Sequence, residues 1–199
     1  MNVFIDPSAE VSESASLGEG VTIWGHTNVR ENAVVGSFST LGRSVYVGPG
    51  CQIGSNCKIQ NLAQIYDPCI IGDGVFIGPG VILTNDKNPR AMTPNYKLKT
   101  DLDWVKSQIV IEDYATLGAG VICVAPIVIG SFAFVAAGSV VTRPVPKFAL
   151  MIGVPARQVG WVGPAGVKLE QLDSKKFKCP ITGLFYFEDS DHILVEVDS

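Results

Sequence analysis

The 199-residue sequence predicts an all-β protein, a parallel β-helix of six-residue repeats with one protruding loop and a C-terminal tail. Three observations carry this. Counting in sixes from Ile5, every landing as far as Leu83 is aliphatic, among them Val11, Leu17, Ile23, Leu41, Ile59, Ile65 and Ile77. A helix surface repeats near 3.6 and a strand near 2, so an unbroken six fits neither alone and reads as one short strand plus a turn per repeat. The residue two places before each aliphatic is small, as at Ala33, Ser39, Cys51, Ala63 and Val75. The count then breaks once, after Leu83, and resumes at Ile111.

Each position follows from strand geometry. Alternate side chains of a strand share a face, so the small residue and the following aliphatic both point into the bore. Glycine after many of the aliphatics, as at Gly42, Gly78 and Gly118, is read as the residue that lets the chain turn a corner. If three hexads close one coil, residues 18 apart stack at the inter-strand spacing of about 4.7–4.9 Å. Cys51 and Cys69 then stack on one wall with Cys57 on the next, as buried small thiols. The five cysteines have no CxxC spacing, which argues against a metal framework and for a reducing compartment. Cys179 to Gly183 looks like half a zinc knuckle without its second half.

The formal charge of −4, with mixed signs, disfavours a nucleic acid polymer or an anionic membrane as the main partner. The stretch from Ala115 to Thr142 carries no charge, yet the hexad runs through it with glycines and Pro126 at turn intervals, so it is solenoid and not a membrane span. The N-terminal residues show no signal-peptide pattern, which points to the cytoplasm. Ile122, Val128, Phe134 and Val140 precede inward aliphatics and should face outward as an apolar wall, where early coils carry Glu10, Ser16, Thr22 and Asn28. Such a wall wants cover, so a homo-oligomer with contacts at the C-terminal coils is expected.

Residues 1–161 form the β-helix, with loop 85–107 inserted between coils, and 162–199 form a tail whose run from Leu184 to Val197 suits a hairpin. A long polar loop on a compact repeat usually has a function. Its base should join the coil Ile65-Tyr66-Asp67-Pro68, which gathers Asn61, Tyr66, Asp67, Asn85, Asp86 and Arg90 along one edge as candidate site residues.

Lys58-Ile59-Gln60-Asn61, Ile65-Tyr66-Asp67, Leu83-Thr84-Asn85, Asn88-Pro89-Arg90-Ala91 and the terminal run from Ala149 to Trp161 resemble the hexapeptide-repeat acyltransferases. Within them the chain is most similar to UDP-2-acetamido-3-amino-2,3-dideoxyglucuronate N-acetyltransferases and related nucleotide-sugar 3-N-acetyltransferases. The resemblance implies a left-handed coil, a homotrimer with sites between subunits, and acetyl-CoA along the C-terminal coils. It further implies transfer of an acetyl group to the 3-amino group of a nucleotide-linked sugar in surface-polysaccharide (O-antigen) precursor synthesis. A dTDP-3-amino-3,6-dideoxyhexose is the alternative acceptor.

On that reading Asn85 orients the amine, a backbone N–H serves the oxyanion, and Asp67 or Asp86 is the alternative base. Arg90 is suited to a sugar carboxylate or phosphate. Gly118, Ala119, Ala136 and Ala137 would let acetyl-CoA approach the backbone, with Arg157 or the cluster Lys175-Lys176-Phe177-Lys178 near its phosphates. Many superfamily members use a coil histidine as base, but His26 and His192 match no such position. A ring amine is acidified by its oxygen substituents, so alignment can replace a base. No metal is expected. Two scattered histidines exclude a three-histidine zinc site of the carbonic anhydrase type, and a non-catalytic solenoid scaffold is the other class in play.

Overall fold

A computed structural model describes residues 2–189 and 194–197; His192 lies outside them. It contains 26 strands and no helix among the described residues. Three parallel sheets form the walls of a solenoid, and a fourth, antiparallel sheet forms the tail.

The first wall starts at Phe4–Ile5, the second at Glu10–Val11 and the third at Ser16–Leu17. Partners on a wall are 18 residues apart, as in Ile5↔Ile23, Val11↔Val29 and Leu17↔Val35. Both inward positions of each hexad are buried from Val21 onward, so the bore is one continuous core. At the N-terminal end Ile5 is 41% exposed, because no coil stacks above the first. Across the insertion, partners Phe76↔Thr116 and Ile82↔Ile122 are 40 residues apart rather than 18, so the loop adds 22 residues without shifting the register.

Two expectations change. The glycines that follow the aliphatics do not make the turns. The left-handed backbone falls on the second turn residue, often a non-glycine such as His26, Ser44, Leu62 or Phe132. Gly42 is needed for a different reason: a Cβ there would sit 2.7 Å from the Asn61 nitrogen of the next coil. Inter-coil spacing, set by the β ladder, leaves no room for a side chain at that point.

The outward apolar residues do not form one wall either. Six residues carry the chain one wall around, so Ile122 and Val140 stack on the second wall. Phe134 stands on the first wall and Val128 on the third.

The solenoid ends on a hairpin, Ala149–Gly153 with Ala156–Trp161, whose first strand continues the first wall in parallel. The tail sheet follows with Glu170–Gln171, Lys176–Lys178, Phe185–Glu188 and Leu194–Val197. The last two strands pair antiparallel, the hairpin the alternation indicates, with 190–193 outside the described residues. Phe177, Cys179, Tyr186 and Leu194 join the solenoid core, so the tail caps its C-terminal end. A ladder of rings ties the two together: Tyr114 to Phe132 at 4.8 Å, Phe132 to Phe148 at 5.1 Å, and Phe148 to Tyr186 at 5.9 Å. The tail lysines spread over its aromatic rings, Lys175 on Phe187 and Lys178 on Phe185.

All five cysteines are buried and free. Burial pushes the Cys51 thiol up to about 11 and that of Cys123 to about 12. An unfolded thiol ionises near 8.5–9, so above about pH 9 the unfolded chain sheds protons that the folded chain keeps. Stability should therefore fall as pH rises from about 9 towards 11. Melting followed at pH 8 and pH 10 should show a larger drop in the native protein than in Cys51→Ala, and equal drops would contradict this.

Candidate functional site

The solenoid has three corners, and the candidate residues occupy two of them. The corner between the second and third walls carries the loop. Here Asn85, the first loop residue, donates from Nδ2 to the Asp67 carbonyl at 2.6 Å. Its own carbonyl accepts from the Ser107 N–H at 2.8 Å, so the two ends of the insertion are stitched together. Lys106 completes the closure with an ion pair to the Asp67 carboxylate, and its ammonium lies 6.0 Å from the Trp104 ring centre. The hydrogen bond that Lys106 donates to the Asp67 carboxylate raises the Lys106 pKa. Thr84 holds the next coil, donating to the Cys123 carbonyl at 3.1 Å and accepting from the Ala125 N–H at 3.2 Å. Tyr66 is exposed and packs against Tyr46 at 5.4 Å. Asp67, Tyr66 and Asn85 therefore do come together at the loop base.

Asp86 and Arg90 lie farther out. With Lys99 and Trp104 they line a recess of about 380 Å³ within the loop, and Asp86 accepts from the Asn88 N–H at 2.8 Å. The outer loop bares apolar side chains: Tyr96 is 87% exposed, Leu102 97% and Val105 88%. Lys106 and Trp104 escaped the sequence reading because nothing periodic marks a residue inside a loop. Lys106 is a clasp, so Lys106→Ala should release the loop base. Limited proteolysis should then cut within 85–107 several times faster than in the native protein, and an unchanged rate would remove the clasp role.

Asn61 is not part of this cluster. It is six residues from Asp67, one whole wall, and so stands on the corner between the first and second walls. There its Oδ1 accepts the Arg43 N–H at 2.9 Å. That corner is one backbone ladder along the solenoid: Ser44 N–H to Gly25 O, Leu62 to Arg43, Gly80 to Asn61, Gly120 to Pro79 and Gly138 to Ala119. Gly118, Ala119, Ala136 and Ala137 therefore occupy the C-terminal stretch of the corner that holds Asn61. A Cβ on Gly118 would meet the Ala137 nitrogen at 2.6 Å, which shows how closely these coils stack. Arg157 is exposed on the terminal hairpin opposite Ile152, with Nη1 donating to the Ala156 carbonyl at 3.1 Å.

His26 is exposed on the same corner, in the second coil. Among the described residues no group of three or more His, Cys, Asp or Glu is placed to hold a metal ion. No helix among them is long and apolar enough to cross a membrane.

Residues 26–61 and 50–85 match the family described as bacterial transferase hexapeptide (six repeats). The dTDP-3-amino-3,6-dideoxy-alpha-D-galactopyranose 3-N-acetyltransferase of Aneurinibacillus thermoaerophilus is 42% identical over 66 residues, 33% of this chain and 34% of that protein. The bifunctional protein GlmU of Alkaliphilus metalliredigens is 44% identical over 64 residues, 31% of this chain and 14% of that protein. The chain thus matches about a third or less of the length of these curated relatives. A crystallised mutant of AntD, an N-acyltransferase from Bacillus cereus in complex with dTDP and coenzyme A, shares the fold. It has a TM-score of 0.52 at 20% identity, over 81% of this chain and 82% of that one.

Proposed function

We propose that this chain, whose residues 26–85 carry the bacterial transferase hexapeptide repeat, is an acetyl-CoA-dependent N-acetyltransferase. Its acceptor is the 3-amino group of a nucleotide-linked amino sugar. The observation that carries this reading is the placement of Asn85 at the loop base. Its amide nitrogen is committed to the Asp67 carbonyl, so the acceptor oxygen Oδ1 is the end left to meet a substrate N–H. An amine held this way presents its lone pair to the thioester carbonyl. The new C–N bond forms as the carbonyl π electrons move onto oxygen; collapse of that oxyanion breaks the C–S bond, and the departing thiolate takes the proton lost by the amine. Backbone N–H groups at the stacked corners are the donors for the oxyanion. Asp67 is committed to Lys106, which leaves orientation rather than a general base as the protein's main contribution.

Because that strip and Asn85 stand on different corners of one chain, acetyl-CoA lies along Gly118–Ala119 and Ala136–Ala137 of the neighbouring subunit, with Arg157 near its phosphates. The working unit is a homotrimer in the cytoplasm, making precursors of a surface polysaccharide. In it the exposed apolar loop of one subunit is covered by the next, which accounts for Tyr96, Leu102 and Val105. The acceptor is UDP-2-acetamido-3-amino-2,3-dideoxyglucuronate, whose carboxylate suits Arg90. A dTDP-3-amino-3,6-dideoxyhexose is the second reading, favoured by the dTDP-sugar acetyltransferase that matches part of the chain.

The test is release of free thiol from acetyl-CoA in the presence of each sugar. Turnover with the UDP-uronate at least tenfold above that with the dTDP-hexose supports the first acceptor, and the reverse ratio the second. No thiol release with either sugar rejects the transferase.

A further inference from the structure

The N-terminal end of the solenoid has a chemistry of its own, set by the direction of the backbone ladder. Along the second wall the Glu10 N–H donates to the Thr27 carbonyl at 2.8 Å and the Ser12 N–H to the Val29 carbonyl at 2.9 Å, both in the next coil. Successive residues of a parallel strand turn their backbone groups to opposite neighbours, so Val11 turns its N–H and C=O the other way. Each coil therefore shows its predecessor two carbonyls and one N–H per wall. The leading strands Phe4–Ile5, Glu10–Val11 and Ser16–Leu17 pair on one side only. On the second wall the unmatched groups are the carbonyls of Ala9 and Val11 and the Val11 N–H. This end is thus richer in acceptors than in donors.

Its side chains add to that bias. Residues 1–29 hold Asp6, Glu10, Glu13 and Glu19 and no lysine or arginine. A recess of about 650 Å³ opens at the second-wall edge, bordered by Ala9, Glu10 and Val11 of the first coil and by Asn28 of the second. Asn28 donates from Nδ2 to Oε2 of Glu10 at 2.9 Å, which holds that carboxylate on the wall and leaves Oε1 for a partner. Arg30 and Glu31 border the same recess, but the guanidinium is already paired with Glu31 at 3.1 Å and does not offset Glu10. Glu13 is exposed at the corner that follows. Val11 and Leu17, whose equivalents in later coils are buried, are only half-buried here.

We infer that this edge takes up an extended protein segment of alternating basic and aliphatic residues, as a strand added ahead of Glu10–Val11. An added strand supplies N–H groups to the Ala9 and Val11 carbonyls and a carbonyl to the Val11 N–H. Its side chains alternate between faces. Those on the outer face stand beside Glu10 and call for a positive charge. Those on the inner face lie over Val11 at the mouth of the bore and call for an apolar side chain. A second copy joined end to end would set acceptors against acceptors and carboxylates against carboxylates, so the partner is a different chain. Charge on a sheet edge also serves as a guard against pairing, and the two roles differ in whether a basic strand binds. The inference is independent of the acetyltransferase reading, since the loop and the acetyl-CoA strip lie on later coils.

Fluorescence anisotropy of a labelled Lys-Val-Lys-Val-Lys-Val peptide with the full chain tests it, with a Glu-Val peptide of the same length as control. The native protein should bind the first and not the second, and amide exchange at Val11 should slow about tenfold or more at saturation. Glu10→Gln/Glu13→Gln should weaken binding about fivefold. Val11→Pro deletes the N–H that faces the partner and no bond to the coil behind it, and should weaken binding by about as much. Glu10 and Glu13 are exposed, so their double variant keeps the fold if Val11→Pro does not. No binding of the Lys-Val peptide would leave the carboxylates as guards of the edge and overturn the inference. Equal binding of the Glu-Val peptide, or undiminished affinity in Glu10→Gln/Glu13→Gln, would overturn it too. So would self-association of the native protein beyond a trimer that the same double variant abolishes, which would give the edge to a second copy.

Discussion

Asn85→Ala is expected to lower turnover about 10²-fold, equivalent to about 2.7 kcal/mol, through lost alignment of the amine. The argument is local. Truncation removes the Oδ1 acceptor and the Nδ2 bond to the Asp67 carbonyl, but the backbone bond from Ser107 to the Asn85 carbonyl and the Lys106–Asp67 ion pair remain to hold the loop base closed. A structural role for Asn85 would show as a lower melting temperature and faster loop proteolysis. An orienting role shows as lost turnover with both unchanged. Thiol release under saturating acetyl-CoA and sugar separates them, and full turnover in a folded Asn85→Ala protein removes the residue from the mechanism.

The largest stability effect is expected at Tyr186, where one substitution should cost much and the other nothing. The side chain is fully buried where the tail caps the solenoid, edge-on to Phe148 at 63°. Its hydroxyl has no hydrogen-bond partner among the described residues, and burial raises its pKa. Tyr186→Ala removes a large ring from a packed site and should cost about 3–5 kcal/mol. Tyr186→Phe keeps the ring and deletes a polar atom whose desolvation costs about 1–3 kcal/mol, so it should be neutral or stabilising by up to about 2 kcal/mol. Urea unfolding of the three proteins checks both signs. A Phe variant destabilised by more than about 1 kcal/mol would mean that the hydroxyl is satisfied.

Much of the architecture was legible because a solenoid is close to one-dimensional. Each repeat contacts only the repeats 18 residues before and after it, so a period in the chain is a period in space. The inward positions and the cysteine stack follow from that count, whereas the preserved register across the insertion shows only in the strand pairing. The glycines were misread because a gap in side-chain volume looks the same in sequence whether a turn or a neighbouring backbone requires it. Gly42 and Gly118 serve the neighbour.

The candidate site was only half legible, for the converse reason. Asn61 and Asp67 are near in sequence but face different corners, since six residues rotate the chain by one wall. Arg43 and Asn61, 18 apart, meet instead. Lys106 and Asp67, 39 apart, meet through a loop with no period to count.

By itself the sequence determined the repeat, the bore, the position of the long loop and the hairpin of the tail, because each depends on spacing along the chain. The tertiary structure decided which polar side chains share a corner, which carboxylates are already spent on partners, and which strand edge is left open. Those depend on rotation about the solenoid axis and on hydrogen bonds between coils, and both exist only once the coils are stacked.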